Sequence, residues 1–135
     1  MPGMKHKGYG RIINIISTSV RIPIENLGVS NTIRAAVASW SKTLSNELGG
    51  FGITVNSILP GFISTQRLQT LIEANARRRG VDEKVIEQEM LQSIPAKRFG
   101  TTEEIAAVAA FLASPAASYV NGVSIPVDGG KTGTI

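Results

Sequence analysis

The sequence of 135 residues contains no cysteine and a single histidine, and these two scarcities exclude several classes of site. Without thiols there are neither disulfides nor thiolate metal ligands, and one histidine cannot form a cluster of imidazole ligands. That histidine, His6, stands in a Lys- and Gly-rich leader, so a histidine general base is not expected. The sequence therefore predicts no metal site.

Long hydrophobic runs and concentrated charge are also missing. No apolar run approaches the roughly 20 residues that cross a bilayer. The N-terminus lacks the charged-then-apolar pattern of a signal peptide. The net charge is +4, but the basic residues are dispersed except for Arg77–Arg79, where cations would complement the dipole at a helix end. We therefore expect a soluble, cytoplasmic protein with neither a nucleic acid nor a membrane as partner.

Hydrophobic residues make up 42% of the chain and charged residues 18%, a balance typical of one globular domain. The strongest pattern is VSNTIRAAVASWSKTLSNEL at 29–48, where apolar residues recur at steps of three and four. That period predicts an α-helix with one apolar face. Ser30 or Asn31 is expected to cap its start, and Gly49-Gly50 is expected to end it in the left-handed conformation.

Three short runs rich in β-branched residues predict strands: RIINII at 11–16, ITVNSIL at 53–59 and VSIPV at 123–127. Pro126 requires the last of them to lie at an edge or a bulge. Helices are predicted at 67–79, at 82–92 and at 101–112, where Thr101 and Glu104 form a capping box. Helix-length crossovers make consecutive strands parallel, so the predicted fold is α/β, part of a doubly wound sheet with flanking helices.

The first strand is too apolar for a solvent-exposed edge, where unpaired backbone groups invite pairing. We expect it to be covered by a preceding N-terminal segment, a second copy or another chain. The ten residues before it are polar and show no period, so no element is predicted there.

Four stretches, in this order, resemble the C-terminal half of the short-chain dehydrogenase/reductase family, most closely its 3-oxoacyl-carrier-protein reductases. They are GRIINIIST, SNTIRAAVASWSKTLSNEL, GITVNSILPGFIST and PAKRFGTTEEIAAVAAFLASPAASYVNGVSIPVDGG. The resemblance implies that residues 1–135 form a single, partial Rossmann-type domain. It also implies hydride transfer between NAD or NADP and a small-molecule carbonyl or alcohol, and a homo-oligomer, dimer or tetramer.

The resemblance implies catalytic positions at Ser17, Ser30 and Arg34. Ser17 follows the first strand, where the family's serine hydrogen-bonds the substrate oxygen, and it lies thirteen positions before Ser30. Ser30 and Arg34 stand where the family has the tyrosine and lysine of YxxxK. A serine hydroxyl is a poor proton donor near neutral pH, and a guanidinium can hydrogen-bond a ribose without replacing a lysine. Without the family context, Ser17 is a turn residue, Ser30 a helix cap and Arg34 a solvated charge.

The segment PGFIST at 60–65 matches the family's motif after a sheet strand. The resemblance implies that Pro60 and Gly61 form the cofactor turn, that the Ile63 backbone meets the nicotinamide carboxamide, and that the Thr65 hydroxyl reaches the carboxamide or pyrophosphate. The residues alone are equally compatible with a plain Pro-Gly turn. The family's glycine-rich phosphate loop is absent from these 135 residues, as is the N-terminal dinucleotide-binding half. We therefore expect weak or no binding of NAD(P) by this chain alone.

Two functions remain open from the sequence. The first is an NAD(P)-dependent oxidoreductase, present as its C-terminal portion, that reduces a carbonyl such as a 3-oxoacyl thioester. The second is a non-catalytic, truncated or degenerate member of the family that acts through oligomerisation. The choice between NAD and NADP is not predicted, because the residue that reads the ribose 2′ position lies in the missing half.

Overall fold

Three parallel strands form the centre of the computed structural model, which describes residues 1–133. The strands are β1 (Gly10–Ile15), β2 (Ile53–Pro60) and β3 (Ser124–Val127), in the order β1-β2-β3. Gly10 pairs with Ile53 and Ser57 with Ser124, both in parallel register. The predicted α/β class and the parallel sheet are confirmed, and residues 134 and 135 of the predicted domain lie outside the described residues.

Five α-helices accompany the sheet in the described residues: α1 (Pro2–Lys7), α2 (Gly28–Leu48), α3 (Gln66–Arg79), α4 (Glu83–Gln92) and α5 (Thr102–Ala113). Short 3-10 turns lie at Thr18–Val20, Gly49–Phe51 and Pro115–Ala117. The helix α1 was not predicted, because its six residues offer no apolar stripe from which a period could be read.

The central strand β2 is buried along its whole length except at Pro60. Its side chains alternate between two layers, as the twofold period of a strand requires. Val55 packs with Leu44 and Leu48 of α2 on one face of the sheet. Ile58 packs with Leu112 of α5 on the other. The sheet is therefore covered on both faces.

The helices α3 and α4 form a hairpin with its own apolar cluster of Leu68, Ile72, Ala76 and Ile86. The three arginines at 77–79 end α3 as predicted, before a left-handed Gly80. None of the helices in residues 1–133 combines the length and apolar character needed to cross a bilayer.

Both ends of α2 differ from the prediction. The helix begins at Gly28, before both expected cap residues, and its N-cap residue Leu27 makes no side-chain capping bond. At the other end Gly49 is right-handed, with φ −56°, and the left-handed glycine is Gly52, with φ 70°. A 3-10 turn between them continues the helical path, so the reversal comes three residues later than expected.

The two outer strands differ in length and exposure. Pro126 lies in β3, which pairs only with β2 in the described chain, so the predicted edge position of this proline is confirmed. The first strand, β1, is the other outer strand, and Ile15 at its end is 52% exposed. Within residues 1–133 its second edge has no strand partner, although its composition suits a buried strand.

Candidate functional site

The candidate site lies at the carboxyl ends of β1 and β2. Because the two strands are parallel and adjacent, Ser17 and the turn that begins at Pro60 emerge at the same edge of the sheet. In open α/β sheets, ligands bind at this edge. Two groups of residues predicted from the sequence therefore share one edge: Ser17, Ser30 and Arg34, and the turn at 60–65.

Ser17 begins the 3-10 turn that follows β1. Its backbone is extended, and its Oγ accepts a hydrogen bond of 3.1 Å from the Ser19 backbone N–H. The residue before it is fixed to the sheet, since the Ile16 N–H donates to the Ile58 carbonyl at 2.9 Å. The Ser17 oxygen thus has a structural role as an acceptor, and its O–H remains able to donate.

Ser30 lies inside α2 and is not the cap of the helix, so the interpretation as a cap is wrong. Its Oγ instead accepts a hydrogen bond of 3.2 Å from Nε of Arg34, one turn along the helix. A second guanidinium nitrogen of Arg34, Nη1, donates to the carbonyl of Ile16 at the end of β1. Arg34 is half-buried by these contacts and is not the solvated charge of the alternative interpretation.

The guanidinium of Arg34 joins α2 to the sheet and has no acidic partner within residues 1–133. The ion pairs of the described residues are Arg79 with Glu89 and Arg98 with Glu104, both on other elements. A guanidinium has five N–H groups. Arg34 donates two of its N–H groups to Ser30 and Ile16, and its other three N–H groups have no partner within residues 1–133.

Ser30 and Arg34 line an open cleft of about 730 Å³ between the end of β1 and the first turns of α2. Its other lining side chains are apolar except for two asparagines, and none of them is acidic. Ile16 also lines the cleft, whereas Ser17 lies just beyond it. The structure therefore brings Ser30 and Arg34 together in a cavity and leaves Ser17 at its margin.

The turn after β2 depends on glycine. The Gly61 N–H donates to the Val127 carbonyl at 3.0 Å, which joins the ends of β2 and β3. A Cβ atom at Gly61 would lie 2.6 Å from Cβ of Asp128, so no larger residue fits without displacing that strand end. This close approach explains why position 61 is a glycine, whether or not a ligand binds there.

Ile63 forms an isolated parallel bridge with Gly100, thirty-seven positions later in the chain. The Ser64 N–H donates to the Gly100 carbonyl and the Gly100 N–H donates to the Phe62 carbonyl, both at 2.9 Å. This pairing turns the N–H and C=O of Ile63 to the opposite side. Within residues 1–133 no acceptor bonds the Ile63 N–H, so this donor is available to a ligand.

Thr65 begins α3 as its N-cap. Its Oγ1 accepts from the Leu68 N–H at 3.4 Å and donates to the Ile63 carbonyl at 3.2 Å. The hydroxyl thus stabilises the first turn of α3. No hydrogen bond between described residues joins this turn to Ser30 or Arg34, so the two groups share a sheet edge without direct contact.

Two contributors to this edge were not found from the sequence: the Ile16 carbonyl, which holds Arg34, and Gly100, which orients Ile63. The only sequence signal for Gly100 was its place directly before the capping box of α5. A Cβ there would lie 2.8 Å from Cδ1 of Ile63, which explains the glycine. Residues 1–133 contain no group of three acidic or histidine side chains placed to hold a metal ion.

The sequence model of a family described as "Enoyl-(Acyl carrier protein) reductase" matches residues 1–132. The NADPH-dependent reductase BacG of Bacillus subtilis is 39% identical over 132 residues, which cover 98% of this chain and 51% of BacG. The 3-oxoacyl-[acyl-carrier-protein] reductase FabG of Pseudomonas aeruginosa is 39% identical over 130 residues, which cover 95% of this chain and 47% of FabG.

Solved structures give the same result. The crystal structure of YwfH, an NADPH-dependent reductase involved in bacilysin biosynthesis, has a TM-score of 0.91 and 39% identity, and the match covers 98% of this chain and 50% of YwfH. Levodione reductase has a TM-score of 0.89 and 32% identity, with 98% and 50% covered. This chain thus spans about half the length of the relatives that it matches. Together with the fold, these matches show that the chain belongs to the short-chain dehydrogenase/reductase family.

Proposed function

We propose that this chain supplies the substrate side and the nicotinamide side of an NAD(P)-dependent reductase that acts on a small-molecule carbonyl. The observation that carries the proposal is that Ser17, the Ser30–Arg34 pair and the turn with the Ile63 N–H all lie at the carboxyl ends of β1 and β2, in a member of this family. A 3-oxoacyl thioester is the proposed substrate, in line with the similarity to FabG. A cytoplasmic location belongs to the same proposal.

The residues at the end of β2 fit the nicotinamide end of the cofactor. The Ile63 N–H, in a half-buried residue, has no acceptor within residues 1–133, and the carbonyl oxygen of a carboxamide is a suitable acceptor. Pro60 and Gly61 would shape the turn around that end of the cofactor, and Thr65 would add a hydroxyl. When bound, the nicotinamide supplies the hydride. The residues that would hold the adenine and phosphates belong to the half of the domain that these 135 residues do not contain.

Ser17 and Arg34 would stabilise the substrate oxygen as it gains negative charge. The Ser17 O–H would donate a hydrogen bond to that oxygen, and the guanidinium of Arg34 would add positive charge nearby. Ser30 would hold Arg34 in place and would not act as the acid, because a serine hydroxyl does not ionise near neutral pH. Water in the open cleft would then supply the proton to the product oxygen.

The proposal is tested with a chimera in which the preceding half of BacG is fused before Met1. Consumption of NADPH with acetoacetyl-coenzyme A is compared for the parent chimera and for Ser30→Tyr combined with Arg34→Lys. Restoring a general acid contributes on the order of a hundredfold, so we expect turnover to rise by about that factor. Ser17→Ala in the same chimera should remove most of the gain. If the double substitution does not raise turnover, the assignment of positions 30 and 34 is wrong.

We also propose a homo-oligomer. Trp40 on α2 is half exposed, and Ile15 is exposed at the end of β1, whose outer edge has no strand partner within residues 1–133. The chain therefore presents apolar surface on two elements. Light scattering after size-exclusion chromatography tests the oligomer directly. A mass equal to one chain at all concentrations would contradict it.

A further inference from the structure

The segment that orients the Ile63 backbone lies outside the helices and strands. Residues 98–101 precede α5, and Gly100 in this segment makes the two backbone hydrogen bonds, to Phe62 and Ser64, that flank Ile63. Inside the turn itself, the Thr65 hydroxyl donates to the Ile63 carbonyl at the longer distance of 3.2 Å. The direction of the Ile63 N–H therefore depends on where residues 98–101 are held.

The carboxylate of Glu104 holds this segment on both sides of Gly100. Its Oε2 accepts hydrogen bonds from the Thr101 N–H at 2.8 Å and from Nη1 of Arg98 at 2.9 Å, and its Oε1 accepts from Nη2 of Arg98. Nη1 of Arg98 also donates to the Phe99 carbonyl at 3.1 Å. One side chain in the first turn of α5 therefore fixes the backbone before and after Gly100 through charge-assisted hydrogen bonds.

Gly100 lies in close contact with both Ile63 and Glu104. A Cβ atom at position 100 would be 2.8 Å from Cδ1 of Ile63 and 3.5 Å from Oε2 of Glu104. Beside it, the rings of Phe62 and Phe99 meet edge to face, with their centroids 6.4 Å apart. A displacement of the Glu104 carboxylate is therefore transmitted to the Ile63 peptide, because the glycine between them has no side chain that could absorb it.

The ion pair of Arg98 with Glu104 matters more for position than for stability. The two side chains are 59% and 41% exposed, and exposed ion pairs contribute little to the free energy of unfolding. At a reacting site, in contrast, a displacement of about 1 Å can lower a rate by about a hundredfold. A contact that is weak in stability can thus be strong in its effect on a ligand held by the turn at 60–65.

We propose that Glu104, together with Arg98, is a positioning residue for the cofactor: it holds Gly100 in the place from which Gly100 directs the Ile63 N–H toward the nicotinamide carboxamide. The inference rests on the proposed function for the role of Ile63. It adds that the start of α5, which contacts no ligand in that proposal, determines how tightly the nicotinamide is bound. The position of Gly100 can be measured without a cofactor, so the two proposals fail separately.

The first test is amide hydrogen exchange of the 135-residue chain without cofactor, followed by NMR. Glu104→Ala removes the hydrogen bonds to Arg98 and to the Thr101 N–H, so the Ser64 and Gly100 amides should exchange about tenfold faster, the factor expected for the loss of one hydrogen bond. The matched control is Thr101→Ala, which removes the other half of the capping box and leaves the carboxylate of Glu104 in place. It should leave the exchange of both amides unchanged.

A conservative variant separates the helix cap from the ion pair and guards against a folding defect. In Glu104→Gln, the side chain can still accept from the Thr101 N–H, as glutamine does in other capping boxes, but it does not pair with Arg98 as a carboxylate does. The Ser64 and Gly100 amides should therefore exchange at rates between those of the parent and of Glu104→Ala.

The second test uses the chimera with the preceding half of BacG. A hydrogen bond to the carboxamide is made equally in the ground state and in the transition state. Glu104→Ala should therefore raise the KM for NADPH about tenfold and leave kcat and the KM for acetoacetyl-coenzyme A unchanged. Thr101→Ala should change none of these constants, because the carboxylate that holds Gly100 is retained.

Three results would overturn the positioning role of Glu104. They are unchanged exchange of the Ser64 and Gly100 amides in Glu104→Ala, equally fast exchange in Thr101→Ala, and an unchanged KM for NADPH in an active Glu104→Ala chimera. An inactive parent chimera would contradict the proposed function alone, and the exchange of the two amides would then decide the positioning role.

Discussion

The helices α2 and α5 pack on opposite faces of one sheet, and they begin in opposite ways. The start of α5 is closed: Thr101 and Glu104 form a reciprocal capping box, and Arg98 pairs with the same Glu104 carboxylate. Within residues 1–133, the start of α2 has neither feature, because Leu27 provides no side-chain cap and Arg34 has no acidic partner. The protein itself therefore satisfies hydrogen-bonding groups at the start of α5, whereas N–H groups of Arg34 near the start of α2 remain available to a ligand.

The largest expected difference concerns the apolar faces of the two helices. Leu112 of α5 is fully buried against Ile58, so Leu112→Ala should lower the free energy of unfolding by about 3 kcal/mol. Ile33 of α2 is exposed at the cleft, and Ile33→Ala should change that energy by less than about 0.5 kcal/mol. Urea unfolding of the two variants measures both values. Equal losses would show that the α2 face is already covered in solution.

Substitutions of Thr101 and Ser30, near the starts of the two helices, should differ less in their effect on the free energy of unfolding. Thr101→Ala removes one half of the capping box and should cost about 1 kcal/mol of stability. Ser30→Ala should cost less than about 0.5 kcal/mol, because Ser30 does not cap α2. Urea midpoints at one temperature test the pair. If Ser30→Ala proved as costly as Thr101→Ala, the hydrogen bond to Arg34 would be a main support of α2.

Lowering the pH should reduce the stability that Glu104 contributes at the start of α5, and within the described chain the start of α2 has no corresponding carboxylate. Hydrogen bonds from Arg98, and then from the Thr101 backbone, lower the pKa of Glu104 from 4.5 to about 2. The unfolded chain therefore binds this proton at a higher pH than the folded chain does, so the contribution to stability is complete above pH 4.5 and is lost between 4.5 and about 2. Glu104→Gln should flatten the fall in stability over that window, as followed by thermal unfolding at stepped pH. An unchanged pH profile would exclude Glu104 as its source.

The smallest expected effect is that of the dinucleotide on this chain. The cleft at α2 offers one arginine and no glycine-rich loop, so NADPH should shift the unfolding free energy by no more than about 0.4 kcal/mol at millimolar concentration. The chimera with the preceding half of BacG serves as the positive control in the same thermal assay. Tight, stoichiometric binding of NADPH to the 135-residue chain in calorimetry would contradict this expectation.

The sequence predicted best those features that depend on neighbours along the chain. The capping box of α5 and the helical period of α2 are local patterns, and both are found in the structure. Of the apolar stripe of α2, Leu44 and Leu48 are buried, whereas Ile33 and Trp40 are exposed. The i to i+4 spacing of Ser30 and Arg34 likewise placed the two on one helix face, where they hydrogen-bond. Local signals could not show that Asn31 would donate its side-chain amide to the Ile24 carbonyl instead of capping the helix.

The features that were missed depend on contacts between distant segments. The Ile16 carbonyl receives Arg34 from eighteen positions away, and Gly100 turns the Ile63 backbone from thirty-seven positions away. No periodicity or spacing rule encodes such pairs in a single sequence. Whether Ser17, Ser30 and Arg34 act in catalysis stays a prediction, because their positions alone do not show it.

The outer edge of β1, which has no strand partner among residues 1–133, has a thermodynamic consequence. Any strand that adds to it binds the folded chain and not the unfolded one, so it shifts the folding equilibrium by mass action. The apparent melting temperature of this chain should therefore rise with protein concentration if copies pair there, or with the concentration of a complementary partner. The stability of such a chain therefore depends on the concentration of the chain or of its partner as well as on the sequence.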